Sequence, residues 1–130
     1  MRFEGVHCTL AVEPHAGGVV VLKIQGTDVG EFGDGPIREV QKCIDAAGPI
    51  ELFVDAREVR GASIEVSGEW AAWMRGQKAQ LAAISMLTGS RYVEVTADFV
   101  RRFAGLEGKM RIYTEPAAFD AALEGWLTQA

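Results

Sequence analysis

The stretch from Gly26 to Gly35, GTDVGEFGDG, sets three acids among four glycines. A glycine-rich turn between a buried strand and a helix, followed about twenty residues later by an acid ending the next strand, is how a dinucleotide-binding unit is built. Asp55 stands at about that distance. The glycine spacing disagrees, because Gly30, Gly33 and Gly35 read G-x-x-G-x-G instead of G-x-G-x-x-G. Asp28, Glu31 and Asp34 would also place negative charge where the pyrophosphate must lie. The same three acids match no calcium-loop spacing, and Phe32 falls where an oxygen donor is needed. No dinucleotide, divalent metal or other cofactor is therefore expected.

The remaining reactive side chains are scattered. His7 and His15 lie eight residues apart, with no partner motif that would make either a metal ligand or a general base. Cys8 and Cys43 form no C-x-x-C or Cys/His cluster and read as free thiols behaving as small hydrophobes. No G-x-S-x-G elbow occurs, and no Cys stands beside a His that could activate it. More suggestive are Trp70, Trp73, Met74 and Gln77, which fall on one helical stripe behind two candidate caps, Ser63 and Ser67. Such a stripe is either core with a bonded Gln77 or the wall of an apolar pocket with one polar anchor.

The elements that position these residues follow from periodicity. Leu10 and Val12 alternate with Thr9, Ala11 and Glu13, and the turn HAGG (His15 to Gly18) reverses the chain into Val19, Val20, Val21, Leu22 and Ile24, which predicts a hairpin. Asp34 with Pro36 opens a helix carrying Ile37, Val40, Gln41 and Ile44, which Gly48-Pro49 stops. Ile50, Leu52, Phe53 and Val54 predict a buried strand ending at Asp55, with AREVRGA as a polar turn. After the Trp helix come a strand over Ala83 to Leu87, a helix with the stripe Tyr92, Val95, Thr96, Phe99, Val100 and Phe103, and a strand over Met110 to Tyr113. A last helix, opened by Thr114 and Pro116, carries Phe119, Leu123, Trp126 and Leu127. Phe99, Phe103, Leu123 and Trp126 are expected in the core. The order is β-β-α-β-α-β-α-β-α, an α/β fold with a five-stranded mixed sheet opened by a hairpin.

Composition sets the frame. A chain of 130 residues, 48% hydrophobic and 24% charged, buries one core and lies outside the disordered regime, so residues 1–130 are read as a single domain. Thirteen basic against eighteen acidic residues give a net charge of −5, which removes the basic stripe that nucleic-acid binding needs. No apolar run approaches a membrane span and no secretory signal opens the sequence, so stable membrane insertion is not expected and a cytoplasmic location is.

From Leu52 to Leu127, the segments LFVDAREVRG, SGEWAAWM, LAAISML, FAGLEGKMRIYTE and FDAALEGWL, in that order, resemble the SpoIIAA-like branch of the STAS fold. That family is related to bacterial anti-sigma-factor antagonists and is likened to lipid-binding CRAL-TRIO domains. The resemblance implies a non-enzymatic regulatory module that binds a protein partner or a small apolar ligand, such as a lipid, near the start of the second helix, and a homodimer is compatible with it. It also implies a phosphoacceptor serine before that helix. Ser67, followed by Gly68, and upstream Ser63 are the nearest equivalents, and neither has an acid directly before it. The binding residues expected on this basis are Asp55, Arg57, Ser63, Ser67, Trp70, Trp73 and Gln77. The alternative is a small-molecule enzyme using the strand ends at Asp55, Thr88 and Thr114.

Overall fold

The computed structural model describes residues 1–129. The elements follow in the order β1 (Arg2–Glu4), β2 (Cys8–His15), β3 (Val19–Asp28), α1 (Gly35–Ala47), β4 (Ile50–Ala62), α2 (Ile64–Gly76), β5 (Leu81–Thr88), α3 (Arg91–Phe103), β6 (Met110–Tyr113) and α4 (Pro116–Gln129). The six strands form one sheet in sequential order. β1, β2 and β3 pair antiparallel, and β3 through β6 run parallel, each joined to the next by a helix. The mixed α/β class expected from the sequence holds, with six strands instead of five.

Alternation sorts the side chains onto two faces. The register Val12, Leu22, Val54, Met86, Ile112 crosses five strands on one face, and α1, α2 and α3 cover it through Val40, Ile44, Ala71, Met74, Ala97 and Val100. On the other face Val21, Phe53 and Leu87 meet a single helix, α4, through Phe119. Phe119 is fully buried, with its ring 5.8 Å from Phe53 and 5.8 Å from Tyr113 in edge-on contacts. Gly26 is required where β3 passes β2, since its φ is +91° and a Cβ there would lie 2.3 Å from the His7 carbonyl oxygen.

Three expectations are corrected. The extra strand, β1, is too short to show alternation, yet it pairs Phe3 with Leu10 along the edge of β2. AREVRGA is not a turn: β4 continues to Ala62, pairing Gln25–Asp28 of β3 with Glu58–Ala62 across two register shifts. Its polar residues belong to a strand whose end is open to water. Finally, Phe99, Phe103 and Trp126 are exposed, at 52%, 48% and 41%, and Leu123 is only half-buried. α3 instead turns Val93, Ala97, Val100 and Ala104 toward the sheet. Two alanines in that row bring the helix close to the strands, which leaves the larger aromatic stripe on its flank.

Both cysteines are free, Cys8 buried and Cys43 half-buried. Burial, with smaller contributions from Asp28 and Glu31, pushes the Cys8 thiol from 9.0 up to about 11. The fold thus favours the protonated thiol, whereas the unfolded chain loses that proton above its ordinary value. The Cys8 contribution to stability is accordingly full below pH 9.0 and lost as pH rises toward about 11. Thiol labelling of the native protein should reach Cys43 before Cys8, and a Cys8→Ala variant should show a weaker loss of stability over that alkaline range. Phe119→Ala should cost about 3 to 5 kcal/mol in a denaturant melt, while Phe99→Ala costs about 1 kcal/mol or less. Equal losses would refute the assignment of the core.

Candidate functional site

The start of α2 is held from two sides. Ser63 is its N-cap, with Oγ accepting from the Val66 N–H at 3.2 Å, and the Ser63 N–H donates to the carbonyl of Asp28 at 2.9 Å. The long β3–β4 pairing therefore delivers the helix start to the end of β3. Ser67 lies one turn in, does not cap, and is 9% exposed. Its N–H donates to the Ser63 carbonyl at 3.0 Å, so it offers no free helix-terminal donor.

Beneath this turn, between the sheet, α2 and α3, lies a cavity of about 90 Å³. Ser67, Trp70 and Met74 of α2 line it with Val93, Thr96 and Ala97 of α3. The sheet supplies Leu22, Val54 and Met86, and the extension of β4 adds Val59, Gly61 and Ala62. Of the residues expected at the site, only Ser67 and Trp70 line this cavity. Trp73 turns toward α1, where its Nε1–H donates to Oε1 of Gln41 at 2.9 Å, while its ring meets Trp70 edge-on at 5.9 Å. Gln77 is not a pocket anchor: it terminates α2, its N–H donating to the Trp73 carbonyl and its own carbonyl accepting from Gln80.

Asp55 and Arg57 lie on the α4 face, away from Ser63 and Ser67. Arg57 Nε donates to Asp55 Oδ1 at 3.0 Å, and its guanidinium reaches Asp120 of α4 at 2.5 Å. Hydrogen bonds that Arg57 donates to Asp120 first and to Asp55 second push its already high pKa further up. This triad fastens α4 to the end of β4, and it does not border the turn before α2. At the strand ends read as an alternative catalytic site, Asp55 is held by Arg57 and the buried Thr88 donates to the Tyr113 carbonyl at 3.4 Å.

The acids of GTDVGEFGDG are likewise each bound to their own surroundings. Asp28 accepts from the Gly30 N–H at 3.0 Å, and Glu31 accepts from the N–H groups of Val6 and His7 at 2.7 and 3.0 Å. Asp34 pairs with Arg38 at 3.1 Å instead of capping α1. Among the described residues no group of three His, Cys, Asp or Glu side chains is placed to hold a metal. No described helix is long and apolar enough to cross a membrane.

Sequence reasoning missed two features. Asp28 lines the cavity at 7% exposure, a burial created by strand pairing that local sequence does not announce. The outer flank of α3 exposes Tyr92, Val95, Phe99 and Phe103 in helical register, and Ile64, the first residue of α2, is 88% exposed. Tyr92 rests 3.5 Å from where a Cβ of Gly61 would stand, three residues before Ile64, and Arg75 of α2 lies 6.0 Å over the Phe103 ring.

This arrangement, a mixed sheet with three helices on one face and one on the other, shares the SpoIIAA-like fold with solved structures. An uncharacterized protein of the DUF3478 family with a SpoIIAA-like fold, from Shewanella loihica PV-4, superposes with a TM-score of 0.65 at 13% identity, covering 93% of this chain and 98% of that one. The anti-sigma factor antagonist SpoIIAA in its unphosphorylated form gives a TM-score of 0.59 at 20% identity, over 88% of this chain and 96% of that one. An anti-sigma factor antagonist from Mycobacterium paratuberculosis gives 0.56 at 17%, over 90% and 94%. No protein-family model and no curated protein sequence matches the chain.

The two serines should differ in their tolerance of an acidic substitute. Ser63→Ala removes a cap and should cost about 0.5 to 2 kcal/mol. Ser67→Asp places a carboxylate in an apolar wall that already holds Asp28, and should cost about 3 kcal/mol or more. Ser63→Asp, which keeps an acceptor at the cap, should stay close to the parent. Thermal or denaturant melts of the three variants would decide it, and an undisturbed Ser67→Asp protein would show that Ser67 is not packed as described.

Proposed function

We propose that the protein is a non-enzymatic regulatory module that docks a protein partner on the face formed by the start of α2 and the outer flank of α3. The observation that carries this reading is the exposed row Tyr92, Val95, Phe99 and Phe103, on a helix whose first turn lies against the end of β4 just before α2. Aromatic side chains half out of water on a rigid helix are the usual anchors of a protein interface, and an apolar patch rimmed by charge marks an interaction site more often than chance exposure. Two proteins of the same fold are anti-sigma factor antagonists, which fits a module acting through protein contacts. The absence of a catalytic motif in the sequence agrees with a binding role.

Ser63 is the better placed of the two serines for a phosphate. It is half-buried at the helix start, next to Ile64, where free N–H groups and the helix dipole favour negative charge. A phosphate there would change the charge at one end of the docking face without entering the core. Ser67 would have to leave the cavity wall first. A second reading rests on the cavity itself, which suits a small apolar ligand, lipid-like molecules included.

The test uses Phe99→Asp and Tyr92→Ala, both on exposed positions and both expected to leave the melting temperature within a few degrees of the parent. The partner recovered by the parent protein from an extract of its own cells should bind Phe99→Asp at least about thirtyfold more weakly in a purified two-component titration. Binding at parental affinity by both variants would remove α3 from the interface.

A further inference from the structure

The cavity is apolar almost throughout, and three polar side chains interrupt its wall: Asp28, Ser67 and Thr96. The Thr96 hydroxyl is engaged, donating to the Tyr92 carbonyl at 3.1 Å. Asp28 and Ser67 are each more than nine-tenths buried, at 7% and 9% exposure. The Asp28 carboxylate accepts a single bond, from the Gly30 N–H, and forms no ion pair among the described residues. The Ser67 hydroxyl has no protein partner among them either, and neither it nor the Asp28 carboxylate is sealed from solvent, since among the described residues the fully buried side-chain polar atom without a partner is Arg101 Nε. A buried carboxylate offers about four acceptor sites, so the cavity contains acceptor capacity that the protein does not use.

These oxygens face the cavity while still reached by solvent, so either water or a ligand hydroxyl can supply their donor. Water could fit by volume, since one molecule needs roughly 10 to 15 Å³ of such space. Water can serve Asp28 and Ser67, but the rest of the cavity offers carbon and the sulfurs of Met74 and Met86, where a water would lack the two to four polar partners that hold it. We infer that the cavity is a site for a small, mainly apolar molecule carrying one hydroxyl donor, with that hydroxyl directed at Asp28 and Ser67 and the apolar body against Trp70, Met74 and Met86. This rests on the ligand-site reading above and not on partner docking. Thioether sulfurs contact ring edges favourably, and the flexible methionine side chains let the site enlarge toward the roughly 150 Å³ known to hold a benzene ring. An anionic headgroup is disfavoured, because it would meet the Asp28 carboxylate without a cation to offset it. Fatty acids are thereby set apart from alcohols and phenols of the same size.

Three probes of nearly equal shape separate these chemistries: phenol, toluene and benzoate. Methyl-resolved NMR titration of the intact chain should place phenol against Val54, Met74, Met86 and Val100. Phenol should bind about tenfold more tightly than toluene, the worth of one good hydrogen bond, and benzoate should not bind there. Asp28→Asn and Ser67→Ala should each narrow the phenol-to-toluene ratio, and Ala62→Leu, which fills the cavity from β4, should abolish binding of both. Should Asp28→Asn fail to fold, the ratio in the parent protein decides alone. Equal affinity for toluene and phenol would overturn the donor inference while leaving an apolar ligand site, and benzoate binding as well as phenol would overturn it too. Failure of both phenol and toluene to bind the parent protein would overturn the ligand site with it.

Discussion

The parallel pairing of β3 with β4 is the constraint on which the rest depends. It begins at Val19 and Glu51 and persists, through two register shifts, to Asp28 and Ala62. A pairing confined to the apolar half would have released both chains near Asp55, and α2 would then start from an unanchored loop. Because the strands stay together, the N–H of Ser63 meets the carbonyl of Asp28, and the helix begins at a fixed place over the sheet. The same extension brings Val59, Gly61 and Ala62 into the cavity wall opposite α3. Close approach reinforces it where the β5–α3 turn crosses β4, since a Cβ on Gly89 would lie 2.2 Å from the Arg57 carbonyl oxygen. Only glycine permits that crossing.

From this frame the two faces of the sheet acquire different characters. Three helices crowd one face, and the small residues Ala71, Ala97 and Ala104 set how closely they approach. Burial of a full Phe or Leu side chain contributes about 1.5 to 3 kcal/mol, so the sheet residues with 0 to 1% exposure, Leu52, Leu81 and Leu87 among them, supply much of the stability without help from the exposed aromatics. The other face relies on Phe119 and on the Arg57 triad, whose Asp120 end is half in water and contributes little by itself. α4 is thus held chiefly by a ring in a socket, with Arg57 setting its orientation.

Much of this was legible in residue order. The hairpin, α1 and the alternation of strands with helices follow from local periodicity, and those elements lie where their apolar residues place them. What escaped depends on distant partners. Arg2–Glu4 carries no pattern of its own and is a strand only because the edge of β2 accepts it. AREVRGA reads as a turn until β3 is beside it. In α3 the largest residues marked the wrong stripe: periodicity finds an amphipathic helix, but size does not tell which apolar row faces inward when alanines make the closer contact. For the site, the cap at Ser63 and the cavity positions of Ser67 and Trp70 were within reach of sequence. The burial of Asp28 was not, and neither was the separation of Arg57 from Ser67, which comes from alternation along one strand.

The two borders of the sheet have a bearing on how such a molecule survives at high concentration. β1 offers three residues at one margin and β6 four at the other, and charged side chains, Arg2, Glu4 and Arg111, stand along them. Glu31 grips the chain just after β1 through two backbone N–H groups, so the margin cannot readily peel away and bare the longer β2. Short, charged borders are poor templates for strand addition between copies. A protein that displays an aromatic row on a helix is in this way guarded against polymerising through its backbone, so that the aromatic row can stay exposed without a long bare strand beside it.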